Sequence, residues 1–144
     1  MIVGLIMAAG CGGVKRPEGM PTLYKTTITF TQADAPLIDA MVILKLADSS
    51  HSKWYSGGAT DANGIVIVRT QGDFPGAPVG KYKVLVSKLA SEPNPKNPEG
   101  SLTFDLVEPQ YNDFTKTPLE IEVKAEPENN FTLDVGAACK KEVK

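Results

Sequence analysis

The chain has 144 residues, 42% hydrophobic and 22% charged, with 15 Lys and Arg against 17 Asp and Glu and a formal net charge of -2. That length is enough to bury one core without disulfide staples. The basic residues are scattered rather than clustered, so the phosphate-neutralising patch that nucleic-acid binding requires is missing and a nucleic-acid partner is excluded.

Residues 1–10 form an uncharged apolar run, far shorter than the ~20 residues a helix needs to span a bilayer. The run reads as the hydrophobic part of a secretion signal. Residues 12–21 are rich in Gly and Pro without periodicity, as expected of a flexible tether. The globular part begins near Leu23. Tyr24, Thr26, Ile28 and Phe30 alternate with Lys25, Thr27, Thr29 and Thr31, which predicts a strand with one buried and one solvated face. Asp34-Ala35-Pro36 closes it as a turn. Ala40, Val42, Leu44 and Leu46 share the next strand's inner face, and Met41 and Ile43 make its other face apolar too, the pattern of a central strand.

After a polar loop at residues 48–52, Lys53-Trp54-Tyr55-Ser56 reads as a poor strand, interrupted by Gly57-Gly58 and expected at an irregular edge. Thr60-Asp61-Ala62-Asn63-Gly64 followed by Ile65-Val66-Ile67-Val68 predicts a hairpin, because Asn and Gly tolerate the positive φ of a tight turn. Tyr82, Val84 and Val86 alternate with polar and apolar neighbours in a further strand. Residues 92–100, with three prolines, read as a loop that cannot join a ladder. Leu102, Phe104 and Leu106 alternate, and residues 109–118 form a second long loop. Leu119, Ile121 and Val123, then Phe131, Leu133 and Val135, predict a terminal hairpin. The expected fold is therefore all-β, a seven- to eight-stranded Greek-key sandwich over residues 23–135, followed by a mobile charged tail at 136–144.

Two resemblances refine this. Ala8-Ala9-Gly10-Cys11 resembles a bacterial lipobox, which implies that residues 1–10 are a lipoprotein signal peptide. Cys11 would then be lipidated, with 11–22 as its tether. Ala8 stands where that motif usually carries Leu. Gly12 after the Cys resembles lipoproteins sent to the outer membrane, and the implied place is the cell envelope, lipid-anchored, with the membrane as one partner. The other reading of Cys11 is an ordinary thiol, free or bridged to Cys139. Pro36-Leu37-Ile38-Asp39-Ala40-Met41-Val42, then Thr60-Asp61-Ala62-Asn63-Gly64, then Pro78-Val79-Gly80-Lys81-Tyr82-Lys83-Val84 resembles the carboxypeptidase regulatory-like domain, a transthyretin-like (prealbumin-like) sandwich.

That resemblance raises enzymes that share the architecture. Hydrolysis of 5-hydroxyisourate in this family needs several His and Arg residues, and ring-cleaving dioxygenases of related architecture hold iron with two His and two Tyr. One histidine, His51, supplies neither set. His51 in its Ser-rich loop lacks a second His or a neighbouring Cys, so no metal or other cofactor is expected. Asp61 and Asn63 are turn formers before they are calcium ligands. A Lys-to-Asn isopeptide bond from Lys25 to Asn129 or Asn130, as in related adhesin stalks, is disfavoured because Lys25 falls on a solvated face. Trp54, Tyr55, Tyr111 and Phe114 are the aromatics that strand alternation explains least. They either close the ends of the sandwich or bind an envelope protein or polysaccharide. The sequence points to a non-enzymatic, membrane-tethered module for binding or structural support, with a carbohydrate-binding module as the alternative.

Overall fold

The computed structural model describes residues 15–48 and 53–143. Nine strands of three or more residues are present among them: β1 (Thr26–Gln32), β2 (Met41–Leu46), β3 (Ser56–Ala59), β4 (Ile65–Ile67), β5 (Gly80–Ser87), β6 (Leu89–Asn94), β7 (Asn97–Asp105), β8 (Glu120–Val123) and β9 (Asn129–Asp134). Seven of them make the sandwich. One sheet runs β9-β1-β4, with β9 parallel and β4 antiparallel to β1; the other runs β8-β5-β2-β3, all antiparallel. The two-residue pieces Arg69–Thr70 and Phe74–Pro75 extend the second sheet beyond β3.

The predicted alternation places the core. Ile28 and Phe30 from β1, Val42 and Leu44 from β2, Val66 from β4, Val84 and Val86 from β5, and Ile121 and Val123 from β8 meet in one buried cluster. At about 1.5–3 kcal/mol for each large aliphatic or aromatic side chain removed from water, this cluster is the main source of stability. β2 holds the expected central position, between β5 and β3, but its second face stays open, with Met41 58% exposed.

Four local expectations are corrected. The Asn63-Gly64 turn forms, with Asp61 Oδ1 accepting from the N–H groups of Asn63 (2.8 Å) and Ile65 (3.0 Å). The strand after it, however, pairs with β1 in the opposite sheet rather than with β3. Gly64 is the reason: its carbonyl accepts from Phe30 N at 2.7 Å, and a Cβ on it, at φ +76°, would lie 2.5 Å from Phe30 O. The chain is thus handed from one sheet to the other at the turn. Gly57 and Gly58 lie inside β3 instead of breaking it, because β3 approaches so closely that a Cβ on Gly57 would stand 2.2 Å from Val42 O.

The proline-rich segment also joins a ladder. β6 and β7 form an antiparallel hairpin outside the sandwich, in which Pro93 lies opposite Ser101 and the register shifts between Pro93 and Asn94. Its tip is held by Asn94 Oδ1 accepting from Lys96 N (2.9 Å) and Asn97 Oδ1 accepting from Glu99 N (3.2 Å). Finally, the expected terminal hairpin is a crossing between sheets: β8 pairs with β5 and β9 with β1. The buried Asn129 side chain turns the corner by accepting from Lys124 N (3.0 Å) and donating to Lys124 O (3.1 Å). After β9 the chain returns along the hairpin, where Lys141–Glu142 pairs with Phe104 and Asp105 and Lys140 Nζ meets Glu92 at 2.6 Å.

Candidate functional site

The start of β5 and the end of β2 are antiparallel neighbours, so Tyr82 lies opposite Leu46. Beside them Leu23–Tyr24 pairs with Ala77–Pro78. This pairing requires Gly76, whose φ is +100° and whose added Cβ would fall 2.7 Å from Tyr24 O. These two pairings leave an open groove of about 380 Å³, whose lining includes Tyr24, Leu46, Trp54 and Tyr82 together with Pro21 and Thr22. Lys53 Nζ stands 5.1 Å from the centre of the Trp54 ring.

The groove is aromatic and weakly polar. The Tyr82 hydroxyl donates to Pro78 O at 2.7 Å, and burial pushes its pKa up to about 12, so it is a neutral phenol at physiological pH. Such a surface suits stacking against a flat or ring-shaped apolar face. Among the described residues no group of three or more His, Cys, Asp or Glu converges as a metal site would require.

The structure separates the four aromatics singled out by sequence. Trp54 lines the groove. Tyr55, 50% exposed, lies against a smaller depression of about 190 Å³ with Met41 and Arg69. Tyr111 sits in the 3-10 turn Pro109–Asn112 and packs on the core. Phe114 lies under Lys83, whose Nζ is 4.9 Å from the ring centre and donates to Phe114 O at 3.1 Å. Tyr24 and Tyr82, which strand alternation assigns to the core, are the partners that sequence reasoning missed. Their signal was positional: each is the first apolar residue of its alternating run. Cys11 and His51 lie outside the described residues. Lys25 pairs with Glu128 at 3.3 Å on an exposed surface, and the Asn129 amide is committed to Lys124 rather than to Lys25.

No family model and no curated protein matches the chain. Two solved structures resemble it. The major pilin subunit BcpA of Bacillus cereus is 13% identical with a TM-score of 0.46, over 85% of this chain and 31% of the pilin. A 9R-lipoxygenase from Cyanothece is 17% identical with a TM-score of 0.42, over 84% of this chain and 18% of the lipoxygenase. The chain thus spans under a third of either protein, and neither likeness says anything about what it does.

Proposed function

We propose that the chain is a non-enzymatic β-sandwich of the carboxypeptidase regulatory-like, transthyretin-like kind, tethered to the membrane of the cell envelope through lipid on Cys11 and serving there in binding or structural support. The observation that carries this is where the groove lies. It opens beside Pro21 and Thr22, where the chain arriving from Cys11 joins the sandwich. The Arg16 guanidinium, donating to the carbonyls of Met20 and Pro21, fastens that junction. Residues 12–21 reach at most about 35 Å when fully extended, so a lipid on Cys11 keeps the groove close to the membrane. One acyl chain binds only marginally while several anchor stably, so the proposed anchor needs no spanning helix.

The anchor is tested by the intact mass of the full-length protein from the membrane fraction of a bacterial host, with and without reductant. A gain matching acyl chains, lost in Cys11→Ser, supports it. A soluble protein short of two hydrogens that reductant restores makes Cys11 a disulfide partner instead. The second reading, a carbohydrate-binding module, is favoured by the adjacency of Trp54, Tyr24 and Tyr82. It predicts that Trp54→Ala weakens polysaccharide retention by about tenfold or more without lowering Tm. Tyr111→Ala, cutting into the core, should lower Tm and leave retention alone.

A further inference from the structure

We propose that a second copy of this chain docks along the outer edge of β9, antiparallel and around a two-fold axis through Thr132. The inference is independent of what the groove binds. β9 pairs with β1 alone among the described residues. Asn129 N donates to Lys25 O and Val135 N to Thr31 O, so the odd-numbered residues aim their main chain at β1. By the alternation of a strand, the N–H and C=O groups of Asn130, Thr132 and Asp134 point away from the sheet, and none has a partner among the described residues.

The side chains also mark this edge as open. Phe131 and Leu133 face the core opposite Ile28 and Phe30, which are completely buried, yet both are only half-buried themselves. Solitary edge strands are normally defended by Lys, Pro or inward charge. The neighbouring edge β8 has Glu120 and Glu122 and follows Pro118, and β6 carries Glu92 and Pro93. β9 has no Lys, Arg or Pro, and its one charge, Asp134, is already bonded to the Thr31 hydroxyl (2.6 Å) and Gly136 N (2.6 Å).

The occupant follows from the register. With Thr132 opposite Thr132 of the second copy, Asn130 lies opposite Asp134 of the second copy, and every outward N–H of both strands meets an outward C=O. On the solvent face the Asn130 amide donates to the facing Asp134 carboxylate; on the core face Phe131 covers Leu133. No like charges oppose. Sliding the pair by two residues, to set Phe131 against itself, leaves Asp134 unpaired. The contact is a strand edge rather than a broad face, so it is weak and depends on concentration.

Sedimentation equilibrium of the full chain carrying Cys11→Ser, from about 1 μM to about 1 mM, reads the association. The expected mass rises from 15.4 kDa towards twice that value. Thr132→Pro should stay monomeric throughout with its Tm nearly kept, because the N–H it removes takes no part in the β1 ladder. Thr132→Lys, which opposes two cations at the axis, should do the same and guards against a folding defect in the first variant. A mass for the Cys11→Ser chain that stays at one chain throughout, or a dimer that both Thr132 variants form unchanged, overturns the proposal. For the register, Thr132→Cys in a Cys11→Ser, Cys139→Ser chain should form an oxidised dimer, since hydrogen-bonded antiparallel partners stand about 5.5 Å apart at Cα, within disulfide reach. Asn130→Cys in the same background should not; equal cross-linking of the two overturns the two-fold register.

Discussion

Asn129 and Asn130 are indistinguishable in the sequence, yet the first is buried and the second exposed. The difference is the corner at Lys124, where the Asn129 amide accepts from Lys124 N and shares Lys124 O with Glu126 N. Asn129→Ala should therefore cost about 2 kcal/mol in urea unfolding, the loss of two partly buried hydrogen bonds, with Asn130→Ala near zero as the control. Tyr82 makes a second residue-scale prediction. Its pKa of about 12 in the folded chain lies above the ordinary value of 10, so folding favours the protonated phenol. That contribution is complete below pH 10 and is lost as pH rises towards 12. Urea midpoints measured across this window should fall less steeply in Tyr82→Phe.

Elements were legible where a period of two met a buried face. β1, β2, β5 and β8 stand where their alternating residues put them, because removal of one face from water is a property of the strand itself. The destinations of strands were less legible. A tight turn predicts that two strands are joined, but whether the second stays in its sheet depends on what lies on the other side, here Phe30 N waiting for Gly64 O. Gly57-Gly58 misled for a related reason: a missing side chain reads locally as weakness, whereas β3 needs it for close approach to β2. Gly57→Ala should consequently cost about 3 kcal/mol or more, or prevent folding, as judged by thermal unfolding of whatever soluble protein is recovered. Gly72→Ala meets no atom within 4 Å, and any cost it shows reports its φ of +78° alone.

For the whole molecule, stability is unevenly distributed. The buried cluster lies within the seven-stranded sandwich, while most side chains of the β6–β7 hairpin stay exposed or half-buried. Native-state hydrogen exchange should therefore show hairpin amides opening at much lower free energy than those of β2 and β5, which open only on global unfolding. Uniform protection across both regions would contradict that division. The candidate site was half legible at this scale. Trp54 stood out because no alternation claimed it, but its partners arrive from three separate stretches whose meeting depends on β2–β5 register and on Gly76. Tyr111 and Phe114 stood out for the same reason, and tertiary packing put them elsewhere.

The parallel pairing of β1 and β9 has a mechanical side. The sandwich is entered at the Thr26 end of β1 and left at the Asp134 end of β9, and these ends lie at opposite extremes of one ladder. Tension applied between the two ends of the domain pulls these strands lengthwise past each other. All the rungs from Asn129 opposite Thr26 to Asp134 opposite Thr31 then bear the load together, whereas a hairpin pulled at its open end would lose them one at a time.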